Sequence, residues 1–136
     1  MKRIVVSMGV ISCLFMLSCG SAMKLTEADS WLTSKTGSNP NPAVQISGSW
    51  QDSVDPNWGM FQFDQKGGNV TGTIADYKIK GVVNGNNVYL VLYYGETVDY
   101  TVMLEMNDKH ELKGNYYASR DTDLLTPHPM ALQKNP

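Results

Sequence analysis

Val98-Asp99-Tyr100-Thr101-Val102-Met103-Leu104-Glu105-Met106 is the stretch that decides how this chain folds. Its even positions are large and apolar and most of its odd positions are polar or charged, the period of two of a half-buried strand. Asn107-Asp108-Lys109 interrupts it with turn-forming residues, and the alternation resumes at Leu112, Gly114 and Tyr116. The two segments read as a hairpin. A three-residue loop pairs Met106 with His110 and sets Leu104 opposite Leu112, Val102 opposite Gly114 and Tyr100 opposite Tyr116, with every inward residue in agreement.

The same punctuation recurs upstream. Ile46, Gly48 and Trp50 alternate on one face of a first strand, and Asp52 to Asn57 forms a loop. Trp58 to Gln65 and Val70 to Ala75 face each other across Lys66-Gly67-Gly68-Asn69, which pairs Lys66 with Asn69, Phe63 with Gly72 and Phe61 with Ile74. Asp76-Tyr77 turns the chain into Lys78 to Val83, and Asn84-Gly85-Asn86 turns it again into Val88 to Tyr94. That last segment is apolar on both faces, so its outer side is either covered or pressed against a partner. Taking Val88, Leu90 and Leu92 as inward leaves Tyr89, Val91 and Tyr93 outside as candidates for a protein interface. This choice requires a three-residue loop at Gly95-Glu96-Thr97 to keep Val98 and Tyr100 in phase, whereas an even loop favours the opposite face.

Gly48, Gly72, Gly81 and Gly114 all fall on the inward register between bulky neighbours. Glycine weakens a strand interior, so four in one register point to strongly coiled strands, as in a narrow closed barrel. After a turn-rich connection from Ala118 to Pro129, Met130 to Lys134 supplies a strand able to close the ring. The expectation is an all-β domain, a small antiparallel up-and-down meander barrel of 7–8 strands over residues 45–136.

The segments before that domain concern address. Lys2 and Arg3 precede an apolar run from Ile4 to Leu17, too short for a comfortable membrane span of roughly 20 residues. Residues 1–19 read as a secretory signal peptide. The run ends in Met16-Leu17-Ser18-Cys19-Gly20, which resembles the lipobox of bacterial lipoproteins, with Met16 where leucine is usual. The resemblance implies lipid attachment at Cys19 and, with Gly20 following it, outer-membrane sorting; the periplasmic side is a separate expectation that the lipobox does not decide. Val10-Ile11-Ser12-Cys13 fits the same letters but leaves only the nine residues Ile4 to Ser12 as a hydrophobic region. Residues 20–44 read as a flexible tether, with a short helix possible over Thr26 to Ser34 and Trp31 and Leu32 as its apolar residues.

Removal of Lys2 and Arg3 leaves nine basic side chains against thirteen acidic ones, a formal charge of −4. That disfavours nucleic acid, which needs a basic stripe to replace phosphate counterions. Both cysteines leave the thiol count, so no disulfide, catalytic thiol or zinc site is expected. The acids of Asp52 to Asn57 match no calcium-loop spacing, and neither metal nor cofactor is expected. His110 sits in a turn, His128 stands between prolines, and Asp121 and Asp123 read as loop residues, so no catalytic set is assigned.

Gly48-Ser49-Trp50, Phe61-Gln62-Phe63-Asp64-Gln65, Val70-Thr71-Gly72-Thr73-Ile74, Gly81-Val82-Val83-Asn84-Gly85-Asn86 and Gly114-Asn115-Tyr116 resemble the small barrels of the calycin group, the avidin- and lipocalin-like proteins. The resemblance implies a fold and a pocket rather than a ligand. Two functions follow as expectations. One is a non-catalytic binding module for a small, partly apolar ligand, lined by Trp50, Phe61, Phe63, Tyr100 and Tyr116. The other is an envelope scaffold that binds a protein partner or itself through Tyr89, Val91 and Tyr93.

Overall fold

The computed structural model describes residues 23–37, 39–119 and 126–136. The signal peptide, Cys13, Cys19, Asp121 and Asp123 lie outside the described residues. Strand β1 (Met23–Lys24) and helix α1 (Leu25–Thr36) come first, followed by β2 (Gly48–Asp52) and a 3-10 turn over Pro56–Trp58. Seven strands complete the chain: β3 (Met60–Lys66), β4 (Asn69–Ile74), β5 (Tyr77–Asn84), β6 (Asn87–Tyr94), β7 (Thr97–Met106), β8 (Glu111–Ala118) and β9 (His128–Lys134). β2 to β9 pair in sequence order, each antiparallel to the next, and β9 returns to β2 through Trp50–Lys134, Gln51–Gln133 and Asp52–Leu132. The result is a closed eight-strand up-and-down barrel, with β1 added beside β7.

Lys66 pairs with Asn69 and Phe63 with Gly72, the register expected for this hairpin. Gly48 faces Phe63 from the other side, so that ring is flanked by glycine on both neighbouring strands. At Gly72 a Cβ would collide with the Gln62 carbonyl, and at Gly114 with that of Met103. The strands coil so tightly there that a neighbouring backbone occupies the place of a side chain.

Two registers differ from the sequence reading. In the β7–β8 hairpin Met106 pairs with Leu112, Leu104 with Gly114, Val102 with Tyr116 and Tyr100 with Ala118. The cause lies in the turn. Asn107 Oδ1 accepts from the Lys109 and Glu111 amides at 3.0 and 2.9 Å, and His110 takes the left-handed conformation at φ 58°. The loop therefore closes one residue later than expected, which offsets the pairing by two and leaves Tyr100 to Met106 and Leu112 to Tyr116 on their expected faces.

The β6–β7 connection is a two-residue turn, Gly95-Glu96, since Tyr94 pairs with Thr97. An even turn throws Val98 to the outer face. A β-bulge then restores the phase: Tyr93 pairs with Val98 but Leu92 with Tyr100, leaving Asp99 as the extra residue. Val88, Leu90 and Leu92 face the interior as expected, whereas Val98 joins Val91 outside.

The residues read as a tether carry a docked helix. α1 packs on β5, β6 and β7, burying Ala28 and Leu32. Ala28 meets Val91 and Val98, with Met23, Leu25, Trp31 and Tyr93 around them. An Asp29–Lys80 ion pair ties the helix to β5. Gly37, at φ 71°, ends it, and its amide bonds to the Thr33 carbonyl at 2.8 Å. The chain then crosses one end of the barrel, where Ala43 donates to Gly85 O and Asn41 to Asn84 Oδ1. Ile46 plugs that end; its amide bonds to Gln65 Oε1 and its carbonyl accepts from Trp50 Nε1.

Candidate functional site

The opposite end holds the turns β2–β3, β4–β5 and β6–β7, and it is built differently. Asp55 Oδ1 accepts from the Asn57 amide at 3.1 Å, Pro56 supplies a preset φ at the first position of the 3-10 turn, and Gly59 leaves it at φ 90°. This short turn folds the Trp58 indole over the core. Its ring lies 6.1 Å from Phe61 and meets Tyr100 at 5.1 Å and Tyr116 at 5.3 Å, both edge to face. Tyr77, the first residue of β5, adds to Tyr100 at 5.7 Å, and Tyr100 meets Tyr116 at the same separation. His128 pairs with Tyr116 across β8 and β9, and the two rings stack at 5.0 Å. Each such pair contributes about 0.5–1.5 kcal/mol beyond the area it buries.

Among the described residues of this region, Trp58 Nε1 and Asp52 Oδ2 are buried without a hydrogen-bond partner. The contrast with Trp50, whose indole donates to Ile46 O at 2.7 Å, marks Trp58 as the unusual one. A buried unpaired donor costs about 1–3 kcal/mol, so a fold retains one where something else supplies the acceptor. The other oxygen of Asp52 is fully engaged, accepting from the Val54 amide at 3.0 Å and the buried Ala131 amide at 3.1 Å. Burial first, then the Asp55 carboxylate, Tyr100 and Asp52, push the Tyr116 phenol above its ordinary value. It stays a neutral hydroxyl throughout the physiological range. The mouth thus combines aromatic faces, two tyrosines and one buried N–H without a partner among the described residues.

The five expected lining residues divide. Trp50 and Phe61 are sealed in the core and Phe63 is 5 % exposed, so the interior is filled by its own side chains, as an eight-strand barrel allows. Tyr100 and Tyr116 are only partly buried and stand at the mouth. Phe61 and Phe63 lie 6.0 Å apart and join the cluster through Trp58, whereas Trp50 points its nitrogen toward Ile46 at the far end. Trp58, Tyr77 and His128 carry no site role in the sequence pattern. Pro56-Asn57-Trp58-Gly59 carries a turn signal that could have singled out the tryptophan; nothing local to His128 reveals its stacking on Tyr116.

The outer stripe is occupied by the chain itself. Val91 is fully buried under α1, Tyr93 packs on the same cluster, and the Trp31 ring meets Tyr89 edge-on at 6.5 Å. An open groove of about 500 Å³ runs where α1 meets the wall, lined by Lys24, Leu25, Asp29, Lys80 and Glu96 among others. Among the described residues no group of three or more His, Cys, Asp or Glu is arranged to hold a metal ion. No protein-family model matches the chain, and no curated protein or solved structure matches it significantly.

Proposed function

We propose that this protein is a non-catalytic binding module, lipidated at Cys19 on the bacterial outer membrane and facing the periplasm, that takes a small, partly apolar ligand at the Trp58 mouth. Its barrel then belongs with calycin-like proteins in plan, but binds at its rim rather than in a hollow interior. The observation that carries the reading is the buried, unpartnered Trp58 N–H set among Phe61, Tyr100 and Tyr116. A ligand acceptor reaching that nitrogen would remove its desolvation cost and gain one hydrogen bond, a difference of about 1–3 kcal/mol in favour of the bound state.

The test is a native mass spectrum of the protein purified gently from a bacterial periplasm as the lipid-free chain from Ser21 to Pro136. A monomer carrying a recurrent small extra mass, lost in Trp58→Phe, is expected. Phenylalanine keeps most of the ring packing and deletes only the donor end, so that variant should melt within about 1 kcal/mol of the native protein. A native protein without extra mass counts against the reading.

The scaffold alternative keeps one observation in its favour, the apolar strip of Val91, Tyr93 and Val98 beneath α1. It requires the helix to leave the wall. A ligand-free dimer or a co-purified envelope protein in the same spectrum would support it.

A further inference from the structure

The two termini of the β1–α1 unit attach to opposite ends of the barrel. Met23 lies beside Val98 and Lys24 beside Thr97, and the Leu25 amide bonds to Glu96 O at 2.7 Å, so the chain enters at the β6–β7 turn. That turn belongs to the same end as the Trp58 mouth. Only Gly20, Ser21 and Ala22 separate Met23 from Cys19. Four extended residue steps span about 14 Å at most. A lipid on Cys19 therefore holds the mouth end close to the bilayer, while the far end lies roughly 25 Å away along strands of eight residues.

A second observation is independent of the lipid. Among the described residues the two exposed large apolar side chains are Tyr94, at 66 %, and Val54, at 53 %. Tyr94 ends β6 and Val54 follows β2, so both stand on the rim of the mouth. The opposite end instead presents Lys66, Asn69, Asn86, Asn87, Asp108 and Lys109 to solvent. Tyrosine favours the boundary between headgroups and water, where its ring and hydroxyl are both accommodated.

We infer that the mouth end of the barrel is a membrane-facing surface, with Tyr94 and Val54 seated in the headgroup region of a phospholipid bilayer. This rests on lipidation at Cys19, and it deepens the binding reading: the ligand reaches Trp58 from the lipid side, as a membrane-resident amphiphile. Among the described residues Asp55, Asp76 and Glu96 share the rim with Lys24, and this balance suits zwitterionic lipid and is repelled by anionic lipid.

The experiment uses the full-length lipidated protein reconstituted in phosphatidylcholine vesicles, with single cysteines introduced as Tyr94→Cys, Val54→Cys or Lys109→Cys and labelled with an environment-sensitive fluorophore. Shallow spin-labelled lipid should quench the labels at 94 and 54 about threefold more than the label at 109, and replacing part of the lipid with phosphatidylglycerol should reduce the difference. Equal quenching at all three positions, stronger quenching at 109, or none at any position in protein that floats with the vesicles overturns the inference and leaves the lipoprotein reading standing. Protein that fails to float overturns both. Val54→Cys guards against a local effect of replacing Tyr94.

Discussion

Gly114→Ala is the smallest change that tests the coiling of the barrel. The added Cβ would stand 3.0 Å from Leu104 Cα and much closer than that to the Met103 carbonyl oxygen, and neither atom belongs to a flexible side chain. Two effects compete. Alanine restricts the unfolded chain and, at a position that accepts it, stabilises by about 0.4–1 kcal/mol. Against that, β7 and β8 must separate in a layer already sealed by Leu104 and Leu112, and overpacking of this kind costs about 1–3 kcal/mol, toward the upper end because backbone has to move. The overlap wins, with a net loss of about 2 kcal/mol. For a domain of this size that lowers Tm by about 8–16 °C. Circular dichroism melts of the native protein, Gly114→Ala and Lys113→Ala would measure it; lysine 113 is exposed on the same strand and should shift Tm by no more than about 0.5 kcal/mol allows. Gly114→Val should be worse still. A Gly114→Ala melt within about 2 °C of the native protein would refute the close approach of the two strands.

Asp52→Ala should destabilise by about 2–4 kcal/mol in urea unfolding, because it strips the buried Ala131 amide of its acceptor, while Asp52→Asn, which keeps Oδ1, should recover most of the loss. Tyr116 supplies a pH dependence: its phenol is raised in the fold, so its contribution is complete below the ordinary tyrosine value near about 10 and is lost as pH climbs through the raised value. Tyr116→Phe should flatten that alkaline fall in stability, and an unchanged alkaline slope would count against the assignment. Ala28→Arg forces a long charged side chain between α1 and Val91, so trypsin cleavage after Lys35 should accelerate by about tenfold while the barrel's own melt is preserved; unchanged cleavage would mean the helix is not held by that contact.

Much of the barrel is written in local pattern. Alternation at Val98 to Met106 and glycine turns at Lys66 to Asn69 and Asn84 to Asn86 are readable because strand period and positive φ are properties of a few adjacent residues. Gly72, Gly81 and Gly114 carry information about closure for a related reason: a missing side chain records where another backbone must pass, whereas Gly48 records a positive φ of 126°. Long-range facts were of another kind. Whether Val98 points in or out depended on a two-residue turn combined with a bulge at Asp99, and alternation alone is blind to their sum. Parity survived the β7–β8 offset because a shift of two preserves faces, but the absolute pairing was decided by one side chain, Asn107, folding back on its own turn.

The mouth belongs wholly to the second kind. Tyr100 and Tyr116 could be named from their strands, but their meeting with Trp58, Tyr77 and His128 exists only once five segments converge at one end of a closed ring. The double apolar character of Val88 to Tyr94 posed a question, cover or partner, whose answer was a helix of the same chain more than fifty residues earlier. Sequence determines which face of each strand is apolar, because that follows from neighbours two residues away; the tertiary fold decides what each apolar face meets, because that is a property of distant segments brought together by closure.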